Sequence, residues 1–114
     1  MTRRRHLSIR PEWEDALRDG RKTIDARLVA DDIADVKVGE IIHYPGARVR
    51  VRHMRFYSGF VDLFAHEDWR RIAPDASDLG ELRHLFEEGH DVTVRASGAV
   101  AIEVEPIDAH AGEQ

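Results

Sequence analysis

The chain has 114 residues with 42% hydrophobic and 34% charged content, a balance that predicts one folded domain over residues 1–114 and excludes a disordered chain. Zero cysteines exclude disulfides, thiolate metal sites and cysteine nucleophiles, and a net charge of −5 argues against a protein that coats nucleic acid along its whole surface. The charge is bipolar: residues 1–55 hold 13 Lys/Arg against 9 Asp/Glu (+4), and residues 56–114 hold 4 against 13 (−9). Such a chain either presents a basic face to a ligand or cancels its charge on folding.

In chain order, the start MTRRRHLSIR is basic, but no signal-peptide apolar stretch follows it. No apolar run approaches the roughly 18 residues of a membrane span. The expectation is a cytoplasmic protein with no membrane partner. His6-Leu7-Ser8-Ile9 alternates and predicts a first strand. Pro11 suits the first helical turn, where its missing N–H costs nothing. Trp13, Ala16 and Leu17 then recur at helical spacing, and Gly20 predicts the stop.

Ile24, Ala26 and Leu28 alternate with Thr23, Asp25 and Arg27, a strand with one apolar and one polar face. Asp31–Val38 reads as a loop with one helical turn. Ile41–Tyr44 reads as a strand closed by the Pro45-Gly46 turn. In the next strand, 48–57, Val49, Val51 and His53 face one way and Arg48, Arg50 and Arg52 the other. The apolar phase then shifts to Met54 and Phe56, which predicts a bulge near Arg52–His53. Ser58 is placed to cap a helix carrying Phe60, Leu63 and Phe64. Asp78 with Glu81 forms a capping-box pattern before the stripe Leu79, Leu82, Leu85 and Phe86, with Gly89 as its stop. Val100, Ile102 and Val104 define a closing strand, and a tail begins at about Asp108. Strand connections too short for parallel crossovers favour an α+β fold, a small mostly antiparallel barrel or sheet with helices at its ends.

The stretch Gly20-Arg21-Lys22-Thr23-Ile24-Asp25-Ala26-Arg27 places four charged residues after a helix stop. It resembles the G-x-K-x-x-E-x-R signature of ASCH domains, a PUA-like family. The resemblance extends to Gly39-Glu40-Ile41-Ile42 before a strand, to Phe56-Tyr57-Ser58-Gly59-Phe60 before a helix, and to Gly98-Ala99-Val100-Ala101-Ile102. Order and spacing hold over about residues 6–107.

This resemblance implies a PUA-like β-barrel with helices flanking a cleft that the signature lines. Family members are generally proposed to bind RNA, and one branch hydrolyses N4-acetylcytidine. In that branch a Lys at the Lys22 position is the base, a Thr at the Asp25 position is the nucleophile, and an acid precedes the last helix, near Asp75 or Asp78. Here Asp25 replaces the Thr and is one methylene shorter than the usual Glu. Ser97-Gly98 stands where members often carry Tyr-Gly.

Two readings of each residue stay open. Lys22 contacts a phosphate or carbonyl or acts as a base, or it is a solvated cation after a helix end. Asp25 and Arg27 hold a ligand, or they form a structural salt bridge. Lys22 and Asp25 converge only if the chain bends near Lys22–Thr23. Ser58 is a cap or a cleft hydroxyl. Tyr57 and Phe56 offer a stacking surface for a base, and Arg48, Arg50 and Arg52 form a basic stripe.

The candidate catalytic set is therefore Lys22, Asp25 and Asp75. The candidate binding set is Arg21, Lys22, Thr23, Asp25, Arg27, Tyr57 and Ser58. The seven histidines lack metal-site spacing, so no metal and no cofactor are expected. The expected partner is RNA or a nucleoside or nucleotide. The alternatives are hydrolysis of an N4-acetylcytidine-type nucleoside and cleavage of single-stranded RNA.

Overall fold

Five strands and four helices make up the described part of the chain, residues 5–29, 33, 35–88 and 98–107 of a computed structural model. In chain order they are β1 (Arg5–His6), α1 (Pro11–Asp19), β2 (Ile24–Leu28), β3 (Ile41–Tyr44), β4 (Ala47–Tyr57), α2 (Phe60–His66), α3 (Trp69–Ile72), α4 (Leu79–Glu88) and β5 (Ala99–Pro106). The strands form one curled half-barrel sheet in the order β1-β3-β4-β5-β2, antiparallel except for the β1–β3 pair. This is an α+β fold, consistent with a PUA-like barrel with flanking helices.

Local chemistry explains most boundaries. α1 starts on Pro11, carries Glu12 and Glu14 in its first turn, and ends at Gly20, whose φ of 86° is left-handed. Its buried Trp13, Ala16 and Leu17 are the residues the helical period selects. Asp78 accepts a hydrogen bond from the Glu81 N–H at 2.8 Å and so caps α4, while the Glu81 carboxylate reaches back to the Ser77 N–H. β4 carries a register shift between Val51 and His53, which turns His53 outward and lets Met54 pack on the core.

Some expectations need correction. The first strand is Arg5–His6, not 6–9, and it pairs in parallel with β3. Gly59, not Ser58, is the residue before α2. The Ser58 N–H and hydroxyl both point to the Asp62 carboxylate, at 3.2 and 3.3 Å, so the acid inside the helix does the capping. Among the described residues of 31–38 there are turns and no helical turn. α3 was not anticipated; Asp68 caps it by accepting from the Arg70 N–H at 3.0 Å. The Gly89 stop and the tail from Asp108 lie outside the described residues.

Both faces of the sheet are covered. Val100, Ile102 and Val104 of β5 pack on one face with Leu17, Ile42, Tyr44, Val49 and Val51. Ala99 and Ala101 pack on the other with Trp13, Ile24, Ala26, Leu63, Ile72 and Leu82. Helix α1 spans both layers through Leu17 and Trp13. Among the described residues no helix is long and apolar enough to cross a membrane.

Candidate functional site

The Gly20 stop is followed by a tight bend. The Lys22 N–H returns to the Ala16 carbonyl at 3.0 Å, the Thr23 N–H bonds the Arg71 carbonyl at 2.9 Å, and the Thr23 carbonyl accepts from Val104 at 2.8 Å. The Thr23 carbonyl therefore faces β5. Successive strand carbonyls alternate in direction, so the next one, on Ile24, faces the outer edge of β2. Lys22 folds back to that edge. Its Nζ donates to the Ile24 carbonyl at 2.7 Å and to the Ile72 carbonyl at the end of α3, and lies 4.4 Å from the centre of the Trp13 ring. The chain does bend at Lys22–Thr23, but the bend takes Nζ to these carbonyls and the Trp13 ring and makes no ion pair with Asp25.

The Lys22 side chain is 1% exposed. Burial lowers its pKa from 10.5 to about 8; the Asp25 charge opposes that shift and the Arg27 charge assists it. Lys22 is thus a buried cation, not a solvated one.

Asp25 pairs in register with Ile102 and Arg27 with Val100, so both project to the Val100–Ile102 face. Asp25 is 4% exposed. Its carboxylate accepts from Arg27 Nε at 2.9 and 3.0 Å and from the Tyr44 hydroxyl at 2.6 Å. Burial and the adjacent Asp25 charge push the Tyr44 phenol well above its ordinary value, so it stays a donor. Arg27 also donates to the Ser8 carbonyl at 2.6 Å, and its side chain, 19% exposed, is the member of the trio that reaches solvent. Lys22 thus lies in the Trp13–Ile72 layer and Asp25, Arg27 and Tyr44 in the other, and the two groups are coupled through their charges and not through a direct contact.

The other candidates lie elsewhere. Arg21 is at the surface between Asp19 and Asp75, with Nη1 3.0 Å from Asp75 Oδ1. Asp75, 59% exposed, pairs with Arg21 and not with Lys22. The Thr23 hydroxyl accepts from Arg71 Nε at 2.8 Å. Tyr57 pairs with Ala99, on the sheet face opposite Asp25 and Arg27. There its hydroxyl donates to Glu67, and its ring stacks on His66 at 5.6 Å. Ser58 serves the α2 start.

Two groups escaped the sequence reading. Tyr44 lies in phase with Ile42, which marks it as inward, but nothing local shows that its hydroxyl ends on Asp25. Around Glu67, Arg55 donates twice to that carboxylate, at 2.6 and 2.9 Å, and once to Glu103 at 2.9 Å, while Arg71 pairs with Glu103 at 3.3 Å. Paired arginines hold both acids below the usual carboxylate range. Arg52 pairs with Glu105 at 3.0 Å, and Arg50 approaches it at 4.0 Å. Folding thus sets the acids of β5 against the basic stripe of β4 and cancels much of the bipolar charge there. Among the described residues no group of three or more His, Asp and Glu is placed to hold a metal ion.

Fold and buried charges together define a small α+β protein with a curled half-barrel sheet. Two solved structures of archaeal proteins are similar to it. The crystal structure of hypothetical protein PH0355 matches with a TM-score of 0.81 and 28% identity, covering 90% of this chain and 97% of that one. The solution NMR structure of protein PF0455 from Pyrococcus furiosus matches with a TM-score of 0.75 and 23% identity, covering 92% and 98%. No protein-family model matches the sequence, and no curated protein matches it.

Proposed function

We propose that this chain is a PUA-like domain of the ASCH type that binds RNA or a nucleotide-like ligand at the end of the barrel marked by Lys22, Asp25 and Arg27. The observation that carries the reading is a buried Lys22 ammonium that feels the charges of a buried Asp25 and its partly exposed partner Arg27. Burying the Lys22 and Asp25 charges costs stability that apolar side chains of the same size would not cost, and such groups concentrate at functional sites. With one acid against two bases the cluster carries +1, so it attracts an anion.

Arg27 is the contact residue. Its guanidinium is oriented by Asp25 and by the Ser8 carbonyl, and Asp25 is oriented in turn by Tyr44. Lys22, sealed beneath, acts as a fixed positive charge, because its Nζ already donates to two backbone carbonyls. The test is fluorescence anisotropy with labelled single-stranded RNA at low and rising salt. Binding is expected to weaken with salt, and Arg27→Ala to weaken it roughly ten- to hundredfold, the range for hydrogen bonds to a charged group. Absence of binding at low salt discards the reading.

One observation favours hydrolysis as a second reading. A Lys22 pKa of about 8 leaves roughly one-tenth of the side chain as free amine at pH 7, and in this reading that amine leaves the Ile24 and Ile72 carbonyls to act as general base toward an N4-acylated cytidine. Asp25 supplies no hydroxyl nucleophile, so the attacking group in this reading is water. Turnover of N4-acetylcytidine followed by absorbance decides it. Equal rates for the wild type and a folded Lys22→Met variant sink it.

A further inference from the structure

Arg27, Val100 and Phe56 form one cross-strand row: Arg27 pairs with Val100 across β2 and β5, and Val100 pairs with Phe56 across β5 and β4. Direct partners in antiparallel strands share a face, so all three project to the same side of the sheet. The middle member is sealed, with Val100 at 0% exposure. The outer members reach solvent, Arg27 in part and Phe56 at 62%. Two strand spacings separate them, roughly 10 Å between backbones. Side chains leaning from both ends of such a row can touch one nucleotide, a ring at one end and a phosphate at the other.

Met54, two residues before Phe56 in β4, packs on the core from the same face, in the row of Asp25 and Ile102. Tyr57, the neighbour that the sequence also offers as a stacking ring, is turned to the opposite face and held by Glu67 and His66.

Resting on the reading proposed above, we infer that Phe56 is the platform on which a nucleobase stacks while its phosphate lies at Arg27. The ligand is then a nucleotide, free or as one unit of a single strand, and not a bare nucleoside. A flat aromatic face accepts any base without sequence preference, and the nearby guanidinium supplies the charge complementarity that a purely apolar docking surface would lack.

The experiment compares adenosine, adenosine 5′-monophosphate and a short single-stranded oligoadenylate, titrated against the wild type, Phe56→Ala, Phe56→Trp and Arg27→Ala. Circular dichroism checks the fold of each variant. Phe56→Ala is expected to weaken nucleotide and oligoadenylate binding ~5- to 150-fold, the range for loss of one stacked base, and Phe56→Trp to retain it. Arg27→Ala is expected to lower the salt slope by about 1. Preference for the monophosphate over the strand, or the reverse, tells a free ligand from RNA.

Nucleotide binding that Phe56→Ala leaves intact while Arg27→Ala weakens it overturns the platform and spares the proposed function. Equal affinity for adenosine and its monophosphate overturns the phosphate assignment. A Phe56→Ala effect confined to self-association in size-exclusion chromatography overturns the platform in favour of a protein contact. A wild type that binds none of the three overturns both.

Discussion

The Lys22 ammonium lies 4.4 Å from the centre of the Trp13 ring, under the end of α1. The ring face attracts the cation, and the Ile24 and Ile72 carbonyls accept two of its protons. Desolvation nevertheless dominates and lowers the pKa to about 8. The sign of the linkage follows. An unfolded lysine keeps its proton up to 10.5, so between about pH 8 and 10.5 the unfolded chain binds more protons than the folded one, and stability rises with pH. The full effect corresponds to about 3 kcal/mol. Tyr44 and Tyr57, both raised above their ordinary 10, subtract stability as pH climbs past that value. Urea unfolding of the wild type should therefore strengthen between pH 8 and 10 relative to Lys22→Met, which has no charge to lose. Parallel pH profiles would show that the ammonium is not desolvated.

Tyr44 and Asp25 form a buried pair whose members cannot be exchanged freely. Tyr44→Phe removes the 2.6 Å donor and leaves the carboxylate short of a partner, at a cost of about 1–3 kcal/mol. A double-mutant cycle with Asp25→Ala should give a coupling of at least about 1 kcal/mol, because the two side chains are in contact. Additive effects would mean that the hydroxyl and the carboxylate do not support one another.

Gly98 fixes the start of β5. Its φ is 125°, and an added Cβ would fall 2.5 Å from the Tyr57 carbonyl oxygen. Gly98→Ala must move the β4–β5 backbone, and a loss of about 1–3 kcal/mol is expected in chemical denaturation, the range for strained backbone positions. A loss under about 0.5 kcal/mol would place the two strands farther apart at this point.

The ion pairs of the sheet are unequal. The Glu67 side chain is sealed and takes two hydrogen bonds from Arg55 and one from Tyr57, so Glu67→Gln should cost about 1.5–3 kcal/mol at neutral pH. Its lowered pKa sets the direction of acid sensitivity: the contribution is present above the ordinary 4.5 and is lost as pH falls through the folded value. Arg52, half in solvent, meets Glu105 in high dielectric, and Arg52→Ala should cost under about 1 kcal/mol. Equal losses for the two variants would deny that burial separates them.

Local chemistry made much of this fold readable in advance. The Gly20 stop, the alternation of Ile24, Ala26 and Leu28, the β4 bulge and the Asp78 cap each depend on a few adjacent residues. The three-residue spread of Lys22, Asp25 and Arg27 was readable as a candidate cluster through its family resemblance. Its burial was not. Alternation marks Asp25 and Arg27 as the polar face of a strand, and a polar face ordinarily meets water. Here the helices cover the Ile24 side and the curl of the sheet encloses the other, so the polar face points inward to Tyr44. The Arg52–Glu105 and Arg55–Glu103 pairs join residues some fifty positions apart, and only the sheet register brings them together. α3, four residues long, is too short to show a period.

The most direct test of the central claim is a two-dimensional amide titration of the isotope-labelled protein with single-stranded oligoadenylate at low salt, with Arg27 Nε observed as well. A ligand at the barrel end should give saturable shifts centred on residues 24–28 of β2 and 54–57 of β4, together with a shift of Arg27 Nε. Binding at the barrel end is contradicted by an absence of saturable shifts, or by shifts confined to the Arg21–Asp75 surface and to His66 and Glu67.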